Sequence, residues 1–281
     1  MKHHENFFTG LKGLKIYYQC WLPDSAPSAV VMIEHGIAEH TGRYSNVVYE
    51  LVPGGIAVYA NDHRGHGKSE GDRCYVDSFD QYVEDVKIFY DLVRKEHPGI
   101  PIFLLGHSMG SLIAIQFTRK YESLLSGLIL SGSGNKVGGN VSKILIGISK
   151  LMSKILPHVK VKATDLSAYI SHDSEVVEKY RTDPLNYLKG ISFRLGAELL
   201  QRFSINESLV GNFKLPLLFQ AGSDDQLVLG ASSLATKFTM ADKTIRIYQG
   251  LWHEVYNETE TDRKMALKDL SNWIVNRIGK I

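Results

Sequence analysis

The 281-residue chain is short of several things that would otherwise decide its class. It has two cysteines, Cys20 and Cys74, in no metal or redox spacing. A disulfide framework and a zinc ribbon are therefore excluded, and the pair reads as free thiols of a reducing compartment. No apolar run approaches about 18 residues, and the first residues hold no apolar segment of signal-peptide length. A cytoplasmic chain with no membrane span is expected. Charge of one sign is also missing: 32 Lys+Arg against 30 Asp+Glu leaves +2, too near neutral for a nucleic-acid partner. Internal repeats and low-complexity segments are absent. What is left, 44% hydrophobic and 22% charged, is an ordinary globular composition, long enough for one large α/β domain with an insertion.

The stretch Ile102 to Ser111 (IFLLGHSMGS) organises that domain. A short apolar run enters Gly106-His107-Ser108-Met109-Gly110, a G-x-S-x-G elbow. Here a buried strand turns sharply into a helix with a serine at the strained apex. Gly106 and Gly110 let the backbones approach, and the Met109 N–H opens the helix and can face a developing oxyanion. The motif alone is weak, since a tight turn with an idle serine has the same pattern. The apolar strand before it and the helix-compatible run Leu112 to Phe117 after it supply the required context.

Strands and helices alternate on both sides. Phe7 to Pro23 reads as an antiparallel hairpin at a sheet edge. Ala29 to Ile33 is a continuous apolar run, hence a strand buried on both faces, and Glu34 is expected at its exposed end. The loop His35-Gly36-Ile37 follows, and Gly36 lets the Ile37 N–H swing inward as a second oxyanion donor. Tyr44 to Leu51 reads as a short helix and Ile56 to Ala60 as a strand. The histidine-rich loop 62–69 lacks zinc spacing and reads as a hydrogen-bonded polar loop, so no metal is expected. Ser78 is expected to cap a helix with apolar positions from Phe79 to Val93. A strand at Leu128 to Leu130 ends this series.

From about residue 135 the alternation stops, and it resumes at Pro216 (PLLFQAG) and Lys243 (KTIRIYQG), before a closing helix from Arg263 to Ile278. The expected architecture is an α/β core, residues 1–134 and 206–281, interrupted by a helical cap at 135–205. A cap in that place lies above the carboxyl ends of the strands, over the site.

A serine hydroxyl needs a base, and the base needs an orienting carboxylate. In this layout the order is Ser, acid, His, each after a strand. The strand at 216–221 ends in Gly222-Ser223-Asp224-Asp225, and the one at 244–249 in Gly250-Leu251-Trp252-His253. His253 is the base, and Asp224 and Asp225 compete for the carboxylate role.

With these residues in place, the chain resembles the monoacylglycerol lipase and lysophospholipase branch of the α/β-hydrolases. The likeness runs through HGIAEHTGRY (35–44), NDHRGHGKSEG (61–71), FLLGHSMGS (103–111), YRTDPL (180–185), QAGSDDQLV (220–228) and IYQGLWHE (247–254). It implies the α/β-hydrolase fold, a mostly parallel sheet flanked by helices with a helical cap. It also implies Asp225 as the carboxylate, Ile37 and Met109 as oxyanion donors, and Glu39, Arg43, His107 and Tyr180 as head-group contacts. The family's animal members carry a histidine three places after the catalytic one, where this chain has Tyr256. Ser111 replaces the family's usual second glycine after the elbow.

The resemblance implies a serine ester hydrolase without a cofactor, acting on a single-chain acyl ester, with monoacylglycerol first. Lysophospholipase or broad carboxylesterase activity is the alternative in the same class. A non-catalytic hydrolase fold used for binding is the alternative from another class. The insertion also has an apolar stripe, Val141, Ile144, Leu145, Ile148, Leu151, Met152, Ile155 and Leu156. Residues 135–205 hold 11 Lys+Arg against 6 Asp+Glu, while the rest holds 21 against 24. Peripheral contact of the cap with a membrane is therefore expected beside a role in lining the acyl pocket.

Overall fold

The computed structural model describes residues 1–138, 150–162 and 167–279. Eight strands form one sheet: β1 (Lys2–Thr9), β2 (Lys15–Leu22), β3 (Ala29–Glu34), β4 (Ile56–Asn61), β5 (Ile102–His107), β6 (Gly127–Ser131), β7 (Leu217–Gly222) and β8 (Lys243–Tyr248). Their spatial order is β1-β2-β4-β3-β5-β6-β7-β8. The expected hairpin is β1 and β2, antiparallel to each other, and β2 runs antiparallel to β4. All other pairings are parallel. The continuous apolar runs become strands buried along their whole length, because helices cover both faces. Lys243 and Arg246 stay at the surface on β8, an edge strand.

Helices α1 (Ser45–Leu51) and α6 (Glu260–Val275) cover one face, closing a core with Val31, Ile33, Leu105 and Trp273. Helices α2 (Asp80–Glu96) and α3 (Met109–Tyr121) cover the other, around Met32, Phe89, Leu104 and Phe117. The chain leaves β4 on one side of β3 and re-enters the sheet as β5 on the other. The carboxyl ends of β3 and β5 therefore lie side by side at a topological switch point, where ligands of such sheets bind.

Between β6 and β7, the described residues contribute only two-residue ladders, at 136–137 with 228–229 and at 160–161 with 191–192. The segment also carries α4 (Ser174–Thr182) and α5 (Phe193–Leu209). It is tied to loops at the carboxyl ends of three strands. Tyr187 N–H donates to Ala38 O (2.9 Å), Ser192 N–H to Cys74 O (3.1 Å) and Glu254 N–H to Ile170 O (2.9 Å). Helix α5 runs unbroken through residue 205 and joins α3 by Asn206 Nδ2 donating to Leu112 O (3.3 Å). Of the apolar stripe, Val141, Ile144, Leu145 and Ile148 lie outside the described residues. Among the described residues, no helix is long and apolar enough to cross a membrane.

Two local expectations are corrected. Ser78 does not cap α2; the helix starts after Phe79, whose N–H donates to the Glu198 carboxylate of α5 at 3.0 Å. A carboxylate brought from the insertion takes the place of the local hydroxyl. Glu34 is not exposed but fully buried, because β4 and β5 flank it and the α3 backbone passes over it. An added Cβ at Gly110 would stand 1.9 Å from Glu34 O. Burial, with the Asp85 charge adding to it, pushes the Glu34 carboxyl well above its ordinary range, so it is a neutral acid.

Candidate active site

Ser108 joins β5 to α3 with φ 54° and ψ −119°. This left-handed backbone in a residue with a Cβ is the strain that the elbow requires. It is held by Ser108 N–H donating to Ser131 O at 3.0 Å. Gly106 is needed because an added Cβ would lie 2.4 Å from Gly110 O. Ser111, in the family's glycine place, donates its hydroxyl back to Ser108 O at 2.6 Å, and its Oγ lies 3.0 Å from the Ser133 hydroxyl. The substitution thus adds a brace to the elbow.

His253 and Asp225 arrive from the loops after β8 and β7. His253 Nδ1 and Asp225 Oδ2 are 2.7 Å apart, both side chains about 4% exposed. Asp225 Oδ1 accepts from Leu227 N–H (2.8 Å) and Val228 N–H (3.0 Å). Burial raises the Asp225 carboxyl, but the His253 charge and these bonds outweigh it and hold it below its ordinary value. For His253, burial opposes protonation, yet the Asp225 charge and bond, then Glu254 and Glu39, raise its pKa above the ordinary value. A hydrogen bond through Nδ1 leaves Nε2 free to take a proton.

Among the described residues, neither the Ile37 nor the Met109 N–H has an acceptor within the chain. Gly36 leaves just enough room for this approach: an added Cβ there would stand 3.2 Å from Ser108 Cβ. The Gly36–Ile37 peptide is fixed from one side by His35 Nδ1, 2.7 Å from Gly36 O. The preceding Gly36 N–H donates to Glu39 Oε1 at 2.5 Å. The histidine-rich loop underpins this segment, with His63 N–H donating to His35 Nε2 at 2.9 Å. Burial lowers both of these imidazoles far below the ordinary value, so they are neutral.

Glu39, Arg43 and His107 line a small space with Tyr44 and Glu254, and Tyr180 joins them through Arg43. The Glu39 carboxylate accepts from Gly36 N–H, Tyr44 OH and Arg43 Nη1, three of its about four acceptor positions. Burial would raise it, but the Arg43 charge, aided by the hydrogen bonds from Gly36 and Tyr44, brings it down to about 2. His107, whose ring is 4.8 Å from that of His253, is driven to about 4 by burial and is neutral. The Arg43 guanidinium sits 4.7 Å from the Tyr180 ring centre, and among the described residues the Tyr180 hydroxyl has no partner. Tyr256 lines the same space, with its hydroxyl donating to Gln220 Oε1 at 2.5 Å.

One residue here escapes the sequence reading. Glu254, next to His253, holds Arg43 by two bonds of 2.7 Å each. Its signal was a carboxylate directly after the base, ambiguous because a loop glutamate is ordinarily solvated.

The sheet order and the serine elbow at its switch point define the class: a serine hydrolase of the α/β-hydrolase fold. The profile of the serine aminopeptidase S33 family matches residues 25–260. The monoacylglycerol lipase of Mycolicibacterium smegmatis is 34% identical over 98% of this chain and 98% of its own. The monoglyceride lipase of Mus musculus is 32% identical over 95% of this chain and 89% of its own. The chain belongs to this family, on the branch that holds the monoacylglycerol lipases. The crystal structure of Paleococcus ferrophilus monoacylglycerol lipase has the same fold, with TM-score 0.83 at 24% identity, covering 99% of this chain and all of that one.

Proposed function

We propose that this protein hydrolyses monoacylglycerol to a free fatty acid and glycerol through an acyl-enzyme. The observation that carries the reading is the buried His253–Asp225 bond (2.7 Å), together with a serine held in the strained conformation of the elbow. The sequence is 34% identical, end to end, to a monoacylglycerol lipase.

Ser108 Oγ attacks the ester carbonyl while His253 Nε2 takes its proton. The carbonyl oxygen becomes an oxyanion between the Ile37 and Met109 N–H groups. Collapse breaks the bond to glycerol oxygen, which receives the proton from His253. Water, deprotonated by the same imidazole, then attacks the acyl-Ser108 ester, and the fatty acid leaves as Ser108 regains its proton. Asp225 fixes the tautomer throughout. Tyr180 offers its hydroxyl to the head group, with Glu39, Arg43 and His107 forming the wall behind it. Residues 135–205 act as the cap, and its exposed apolar residues give it a peripheral hold on lipid.

A second reading, a lysophospholipid substrate, is favoured by the phospholipase YtpA of Bacillus subtilis, 32% identical over 86% of this chain. The test is one panel of monoacylglycerols and lysophospholipids assayed beside Ser108→Ala, with fluorophosphonate labelling of both proteins. The variant is expected to lose labelling and roughly 10⁴ to 10⁶ in turnover. Appreciable residual turnover in pure Ser108→Ala protein overturns the reading.

A further inference from the structure

Arg43 stands between two carboxylates. Its Nη1 donates to Glu39 Oε2 (2.5 Å) and Glu254 Oε1 (2.7 Å), and its Nη2 to Glu254 Oε2 (2.7 Å). All three side chains are at most 10% exposed. Each carboxylate reaches a different part of the site. Glu39 holds the N–H of Gly36, one residue before the oxyanion donor Ile37. Glu254 follows His253 directly, and its Oε2 also accepts from Asn257 Nδ2 at 2.9 Å. Asn257 is pinned in turn by Asn46 Nδ2 (2.9 Å) of α1. A planar guanidinium paired in a fork fixes orientation as well as distance.

We propose that Glu254 is a positioning residue which, through Arg43, locks the His253 loop to the Gly36–Ile37 loop. Base and oxyanion donor then keep one fixed spacing around Ser108. The proposal rests on the serine-hydrolase reading of the site. It also gives the carboxylate a second effect. One guanidinium against two carboxylates leaves a net negative charge in a dry region beside His253. The charged or titratable groups that face that imidazole are Asp225 from the β7 loop, His107 from β5, Glu39 and Arg43 from the β3 loop, and Glu254 itself. His107 is neutral, so the excess charge favours the imidazolium formed as Ser108 loses its proton.

A head-group role for the same residues predicts something different, and substrates separate the two. Glu254→Gln keeps the shape and removes the charge. Its kcat is expected to fall about 10- to 100-fold. The fall is expected equally on a monoacylglycerol and on p-nitrophenyl butyrate, which has no glycerol, with KM little changed. The acid limb of kcat/KM moves to lower pH, because the His253 imidazolium has lost a favourable charge. Arg43→Lys keeps the charge and loses the fork. It is expected to lower kcat on both substrates and leave the acid limb in place. A KM rise confined to monoacylglycerol would show a head-group subsite and overturn the proposal. A lower Tm with kcat and pH profile unchanged would overturn it equally, as a merely structural pair. If Glu254→Gln does not fold, Glu254→Asp keeps the charge on a shorter arm, and the same two outcomes decide. Fluorophosphonate labelling of the wild type runs alongside. No labelling there means the serine-hydrolase reading itself has failed.

Discussion

His253 Nδ1 lies 2.7 Å from Asp225 Oδ2, while the neighbouring Asp224 turns its carboxylate to Ser223 Oγ at 2.6 Å, on the surface. Two consecutive aspartates are thus divided between the base and the solvent. Asp225→Asn is expected to cost about 10⁴ in kcat, because the amide favours the wrong imidazole tautomer. Asp224→Asn should stay near wild type. Steady-state kinetics of the two variants on one ester decide the matter, and a larger loss in the Asp224 variant would reassign the carboxylate.

The His253 environment sets the sign of the pH dependence. As the proposed base, His253 works only when neutral. Burial opposes its protonation, but the Asp225 carboxylate, with Glu254 and Glu39, raises its pKa above the ordinary histidine value of about 6.5. Activity is therefore expected to fall as pH drops through a point above that value. His107, lowered to about 4 by burial, contributes no limb in this range. A kcat/KM profile on a neutral ester measures the limb, and an inflection below the ordinary value would contradict this account of the field.

Glycine at the elbow is a packing requirement, and its cost is measurable. A Cβ at Gly110 would meet Glu34 O at 1.9 Å and His35 O at 2.7 Å, both backbone atoms that cannot step aside. Gly110→Ala is expected to destabilise by at least about 1–3 kcal/mol, the usual cost of overpacking. Gly54 has nothing within 4 Å of an added Cβ, so Gly54→Ala is the neutral control. Thermal melts of the pair check this. Equal Tm values would mean that α3 shifts to make room.

Tyr180 should matter for the head group more than for the chemistry. Its ring is fixed by Arg43 at 4.7 Å, but its hydroxyl has no partner among the described residues. Tyr180→Phe is expected to raise KM for monoacylglycerol several-fold, the scale of one lost hydrogen bond. A p-nitrophenyl ester should be almost unaffected. Equal loss on both substrates would assign the residue to structure or catalysis.

Much of this was legible in the residues. The continuous apolar run at Ala29 marks a strand buried on both faces, the runs at Ile102 and Pro216 mark two more strands, and the elbow between Leu105 and Leu112 needs its two glycines for contacts the structure contains. What stayed hidden depends on partners far away in sequence. Glu34 is an ordinary strand-ending acid until α3 crosses above it. Ser78 is an ordinary cap until Glu198, from α5, takes the helix N-terminus. Glu254 is a loop acid until Arg43, 211 positions earlier in the chain, reaches it. Local pattern carries hydrophobic periodicity and turn chemistry; it carries no information on which buried charge meets which.

The surface of the proposed cap raises the question of where the substrate comes from. Monoacylglycerols partition into membranes, so an enzyme that meets its substrate there gains from touching the interface. Residues 150–155 are helical, and Leu151, Ile155, Leu156 and Val159 are each between 44% and 61% exposed. Lys150 and Lys154 stand beside them on the surface. Exposed apolar groups fringed by lysine suit an interfacial segment, where each lysine near anionic lipid adds about 1 kcal/mol. The competing use, covering the acyl pocket, would require these side chains to turn inward; Met152 is half-buried, but Leu151, Ile155 and Leu156 are exposed. Co-sedimentation with phosphatidylserine vesicles at low and physiological salt tests the docking. Wild type is expected to bind at low salt and to release as salt screens the lysines. Leu151→Glu and Ile155→Glu should abolish binding while leaving hydrolysis of a short soluble ester intact. If wild type ignores anionic vesicles even at low salt, the exposed residues serve the protein itself and not a membrane.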